Sequence, residues 1–94
     1  MEGFAEQKVP EGKLVSVKIQ FGRKINSIQI LGDFFLHPED TIYKIEKSLI
    51  GTNVSASKDE ISGKIAKVLA MSKAELIGIT PEAIAETIKM AVKK

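Results

Sequence analysis

The chain has 94 residues, 44% of them apolar and 28% charged, which is the composition of an ordinary globular domain. Fourteen basic and 12 acidic side chains are mixed along it for a net charge of +2, so nothing draws it strongly to nucleic acid or an anionic membrane surface. There is no cysteine, which excludes disulfides, thiolate metal sites and a cysteine nucleophile. No apolar run approaches membrane-spanning length and no basic-then-apolar leader follows Met1, so a cytoplasmic setting is expected. A single domain over residues 1–94 is expected as well. A domain this small buries one modest core, which argues against a deep active site of its own.

The first half reads as strands. GFAEQKV is followed by the turn signal PEG at Pro10–Gly12, which makes it a candidate first strand. In KLVSVKIQF, Val15, Val17, Ile19 and Phe21 alternate with Ser16, Lys18 and Gln20, the period of a strand with one wet face. Gly22–Lys24 supplies a turn. In INSIQILGDFF, Asn26, Ile28, Ile30, Gly32 and Phe34 share one face, while Ile25 and Leu31 fall on the other, so a bulge or a partly covered second face is plausible. A hairpin from about Lys13 to Phe34 follows.

The second half reads as helices. Pro38 suits a first helical position, with Glu39 and Asp40 at the positive end of the helix dipole and Lys44 and Lys47 further along. Ile42, Ile45 and Leu49 form its apolar stripe, and Gly51 ends it. After a TNVSA linker, SKDE at Ser57–Glu60 is a capping box that opens a second helix, with Ile61, Ile65, Val68 and Leu69 facing one way. Thr80 caps the third, with Pro81 inside it, Ile79 and Ile84 as a hydrophobic staple, and Ile88 and Val92 continuing the stripe. AELIGI, between the last two helices, fits either a helical turn or a short strand. Strands first and helices after predict an α+β domain: an antiparallel sheet of two to three strands with about three helices on one face.

Catalytic constellations are hard to assemble from these residues. The one histidine, His37, stands at a helix start with only Asp33 nearby, and fits a structural imidazole accepting an amide hydrogen bond better than a general base. One histidine and scattered acids do not make a metal ligand set. The GKL at Gly12–Leu14 fails the phosphate-loop pattern twice, because Gln7 stands where a glycine is needed and Leu14 where a hydroxyl is needed. Asp59 and Glu60 belong to the capping box. GDFF at Gly32–Phe35 stands apart from these. Adjacent strand residues point to opposite sides, so Phe34 and Phe35 enter one core only if the strand ends between them. From the residues alone GDFF reads first as a glycine bend, an Asp bonding nearby amides and two phenylalanines on opposite sides of the sheet. In the other reading, an aromatic left outside beside an acid is a common anchor for a partner protein.

VPEGKLVSVKI followed by INSIQILGDFFLHPED resembles the small C-terminal domain of lipoate-protein ligases, and ELIGITPEAIAETI is similar to that family's closing helix. Gly12, Lys13, Gly32, Asp33, Phe34 and Phe35 are the positions that match the family motif. The resemblance implies a non-catalytic accessory subunit, which the start at Met1 makes a free-standing part of a split ligase. Its implied partner is a large catalytic subunit, with which it forms a heterodimer. ATP, Mg and lipoate would bind that large subunit, and none of them this chain. The reaction implied is activation of lipoate to lipoyl-AMP, then transfer to a lysine of a lipoyl domain. The alternative is a non-enzymatic adaptor, its fold akin to iron–sulfur assembly scaffolds but without the cysteines that hold a cluster.

Overall fold

In the computed structural model, which describes residues 1–10 and 13–93, the alternating run becomes the central strand of a three-stranded antiparallel sheet. The strands are β1 (Glu2–Lys8), β2 (Leu14–Phe21) and β3 (Ile25–Gly32), side by side in chain order. Val15, Val17, Ile19 and Phe21 of β2 are buried, while Leu14, Lys18 and Gln20 are exposed on the opposite face. The candidate first strand is therefore present, and it pairs with β2 along its whole length, from Glu2 opposite Gln20 to Lys8 opposite Leu14.

Ile25 and Ile28 are both buried although they lie three residues apart, which strict alternation forbids. The pairing resolves this. Gln20 opposes Ser27 but Phe21 opposes Ile25, so Asn26 is the extra residue of a bulge. The bulge returns Ile25 to the core side. Asn26, grouped with Ile28 and Ile30 by simple alternation, is exposed instead.

The hairpin also ends earlier than expected. β3 stops at Gly32, and after Asp33 and Phe34 the chain enters β4 (Phe35–His37), which belongs to a separate two-stranded sheet. Its antiparallel partner is β5 (Glu75–Ile77), so the ambiguous AELIGI segment is a strand. This pairing keeps the backbone extended through His37 and delays the first helix. Pro38–Asp40 form a turn, in which the Thr41 N–H donates to the Pro38 carbonyl at 3.1 Å. Helix α1 (Thr41–Leu49) then begins three residues beyond the expected Pro38, with Asp40 at its N-cap and no acid in its first turn.

Helices α2 (Lys58–Met71) and α3 (Pro81–Val92) follow the capping signals closely. Ser57 Oγ accepts the Glu60 N–H and Thr80 Oγ1 accepts the Ala83 N–H, each at 3.1 Å. Ile79 and Ile84, the two halves of the staple, are both buried. Gly51 takes a φ of +89° just past α1, a conformation that favours glycine. α3 rests on β1 and β2, α1 rests on β3, and α2 packs against both helices, so one core lies on one side of the sheet.

Polar side chains lock these layers. Gln7 Nε2 on β1 donates to Thr87 Oγ1 at 2.8 Å and to the Ala83 carbonyl at 3.2 Å, which sets the height of α3 above the sheet. Glu46 Oε2 on α1 accepts the Ile30 N–H at 2.8 Å and so satisfies an outward amide of edge strand β3. Lys89 Nζ donates to the carbonyls of Val54 and Ala56, fastening the linker to α3. Gly3 has no Cβ because α3 leaves no space for one: an added methyl would strike the Ala91 carbonyl.

Two glycines therefore respond to alanine in opposite directions. Gly3→Ala forces α3 outward and should cost about 1–3 kcal/mol. Gly63→Ala meets nothing on the open side of α2 and should add about 0.5–1 kcal/mol through helix propensity. Urea unfolding of the two variants checks this, the midpoint falling for the first and rising for the second.

Candidate functional site

The two motif segments singled out in the sequence meet at one end of the sheet. The Leu14 N–H donates to Asp33 Oδ1 at 2.6 Å, and the Asp33 N–H donates to the Leu14 carbonyl at 3.2 Å. Val15 and Gly32 form the last regular pair of β2 and β3. Asp33 extends that ladder by one step, with its carboxylate standing where a strand carbonyl would be. The bond is charge-assisted and short, as expected for an ionised acceptor. It ties the GKL segment to the GDFF segment across 19 residues of sequence.

Gly32 has a steric reason to be glycine, since an added Cβ would run into the Leu14 carbonyl and the Phe34 ring. That close approach lets Phe34 fold back, half-buried against the core. Phe35 leaves in the other direction and is 67% exposed. Its cross-strand neighbour is Ile77, itself 50% exposed, so the small β4–β5 sheet presents an aromatic–aliphatic pair to solvent. One phenylalanine is thus structural and one is external, because the strand ends just before them.

Lys13 completes the corner. Its stem runs along Gly78, where an added Cβ would lie 3.2 Å from Lys13 Cγ, and Gly78 has a φ of +95°. Its ammonium lies over the Phe35 ring, 5.8 Å from the centroid, within cation–π range. The sequence reading missed Gly78 and Ile77 as members of this site. The signal was the glycine inside ELIGI, but the partner strand for that segment lay 40 residues away. Gly12, also expected here, lies outside the described residues.

Beside the corner, a groove of about 250 Å³ opens between the end of β3 and the start of α1. Leu31, Phe34, Phe35, Leu36, Glu39 and Ile42 are among its lining residues. His37 is exposed at the end of β4, opposite Glu75, and accepts no amide hydrogen bond among the described residues, contrary to the capping role expected of it. Among the described residues no group of three or more His, Asp or Glu side chains is placed to hold a metal ion. The arrangement offers apolar contact, one fixed cation and a carboxylate already engaged by an amide.

No family model matches the chain. Over 40 residues it is 42% identical to lipoate-protein ligase A subunit 2 of Thermoplasma acidophilum. That stretch covers 43% of this chain and 43% of the relative, so the match spans under half of that protein's length. A solved structure of an archaeal lipoylation system, a bipartite lipoate protein ligase and its E2 lipoyl domain from the same organism, contains a chain of the same fold. The likeness extends over 94% of both chains, with a TM-score of 0.76 and 27% identity. The chain is similar over part of its sequence to a lipoate-protein ligase subunit, and in fold to a chain of that bipartite system. The resemblance to lipoate-protein ligases is met in both sequence and fold.

The three side chains of GDFF should separate cleanly in unfolding experiments. Phe34→Ala removes a half-buried ring and should cost about 1–3 kcal/mol, below the range for a fully buried phenylalanine. Asp33→Ala loses a charge-assisted bond and should cost about 1–2 kcal/mol, with Asp33→Asn milder because an amide oxygen still accepts. Phe35→Ala should stay within about 0.5 kcal/mol of wild type. Urea melts of the four variants test this ranking.

Proposed function

We propose that this chain is the non-catalytic accessory subunit of a two-part lipoate-protein ligase. It acts with a large catalytic subunit in the ATP-dependent activation of lipoate to lipoyl-AMP, before transfer to a lysine of a lipoyl domain. The observation that carries the proposal is the corner itself: the GKL and GDFF segments are closed into one exposed surface by the Asp33–Leu14 bond and the Lys13–Phe35 contact. A surface so organised, with its carboxylate turned inward on an amide, is suited to holding another protein in register.

In this reading residues 1–94 act as one domain and work in the cytoplasm; among the described residues no helix is long and apolar enough to cross a membrane. ATP, its Mg and lipoate bind the large subunit, and this chain's residues hold that subunit in the state that adenylates lipoate. Lys13, Gly32, Asp33, Phe34 and Phe35 are the working positions. Gly32 and Phe34 shape the corner, Asp33 closes it, and Lys13 and Phe35 face outward.

Lipoate-dependent exchange between ATP and pyrophosphate tests the proposal. The chain alone should give no exchange, while its mixture with the large subunit should give exchange that the large subunit alone lacks. Robust exchange by the isolated chain, or a large subunit indifferent to its addition, would overturn it.

A further inference from the structure

Among the described residues ten large apolar side chains are exposed, Leu14, Leu31, Phe35 and Ile77 among them. These four gather at one end of the molecule. Leu14 and Leu31 lie diagonally across β2 and β3, since Ser16, two residues from Leu14, is the partner of Leu31. Leu31 and Phe35 both line the groove beside α1, and Ile77 pairs with Phe35. An exposed apolar tract of this kind marks a contact surface more often than an accident of composition.

The tract is also charged in a particular way. The Lys13 ammonium is held over Phe35 by a stem packed along Gly78, and no carboxylate pairs with it among the described residues. Asp33, the nearest acid in the motif, has Oδ1 engaged by the Leu14 amide. Most surface lysines sweep freely through solvent, and fixing one in a contact costs side-chain entropy. Here much of that ordering is already present in the isolated chain. The result is a preset cation at the edge of an apolar groove.

We infer that the large subunit docks on this end of the sheet, inserting an apolar side chain into the groove between β3 and α1 and placing a carboxylate against Lys13. The inference rests on the accessory-subunit reading above and names the chemistry of the partner's contact. A stable interface covers roughly 800 Å² on each partner, about a seventh of the chain's 5694 Å² surface. The contact therefore extends past Phe35 and Ile77 onto Leu31 and Leu14. An apolar anchor in a pocket with one charged pair beside it is the usual core of such an interface. The charge pair sets register and rejects partners without the acid.

Isothermal titration of the full chain with the large subunit of the same lipoylation system, at low and raised KCl, provides the test. Phe35→Ser and Leu31→Ser should weaken binding at least tenfold while melting close to wild type, because both side chains are already exposed. Lys13→Glu should weaken it by a similar factor. Lys13→Gln should flatten the salt dependence seen with wild type. Tyr43→Ala and Met71→Ala, on α1 and α2, should bind as wild type. If wild type binds and supports exchange but Phe35→Ser, Leu31→Ser and Lys13→Glu all bind equally well, the docking surface is wrong and the subunit reading stands. If Tyr43→Ala and Met71→Ala alone weaken binding, the large subunit sits on the helices and the inference is likewise overturned. If wild type neither binds the large subunit nor alters its exchange reaction, the subunit reading itself fails.

Discussion

A three-stranded sheet in a chain this short can cover only one of its faces, and the rest of the molecule is arranged around that limit. β2 supplies the buried side with Val15, Val17, Ile19 and Phe21, and each such side chain removed from water contributes roughly 1.5–3 kcal/mol. α1 and α3 take up that face, α2 closes over them, and among the described residues no element covers the other side. The opposite face stays wet, carrying Glu6, Ser16, Lys18 and Gln20. Ser16 Oγ donates to Glu6 Oε2 at 2.8 Å across β1 and β2 there, the sort of pair suited to a solvated sheet. Leu14, Leu31, Phe35 and Ile77 cluster where the sheet stops, while Phe4, opposite Lys18, is exposed on its back.

The end of the sheet is where backbone pairing and function converge. Beyond Val15 and Gly32 there is no strand residue left to answer the Leu14 amide. The Asp33 carboxylate answers it, and this allows the chain to change direction while Leu14 remains satisfied. Gly32 permits Phe34 to fold back over the strand it has just left. Phe35 then begins a second, smaller sheet with a segment from beyond α2. A two-stranded ribbon of three-residue strands is marginal by itself. It persists because Leu36 is buried in the common core and Leu76 packs against it. The ribbon's inner side chains hold it, which leaves the outer pair, Phe35 and Ile77, free for contact.

Local chemistry made much of this legible in the sequence. Alternation located β2, the Ser57 and Thr80 caps located α2 and α3, and the impossibility of burying both phenylalanines foretold that one would be external. What was not legible depended on pairing between distant segments. The bulge at Asn26 is a register decision made jointly by β2 and β3, and only its plausibility could be read from Ile25 falling out of phase. The late start of α1 and the strand identity of AELIGI are one event, the joining of Phe35–His37 with Glu75–Ile77. Neither segment is long enough to declare itself. His37 departs from its expected capping role for the same reason: it ends a strand, where the His-Pro sequence reads as a helix start. At the candidate site, Lys13 and GDFF were visible as motif residues, but their convergence with Gly78 required that long-range pairing.

An exposed phenylalanine on a sheet end is a liability, since it invites association with any apolar surface. The lysine beside it changes that balance. With the ammonium over its ring, Phe35 offers a favourable contact only to a surface that also answers the charge, because covering Lys13 with plain hydrocarbon strips its hydration without return. Attraction and selectivity are thus built from the same two residues. Gly78 matters in this respect through the space it leaves open. Its missing Cβ leaves the track along which the Lys13 stem lies, and its φ of +95° shapes the exit from β5 at that point. A Cβ there would crowd Lys13 Cγ and Cε, both within 3.3 Å, and move the cation off the ring. The positioning of one charge therefore reaches back to a glycine 65 residues away, through a ribbon that exists only when the whole domain is folded.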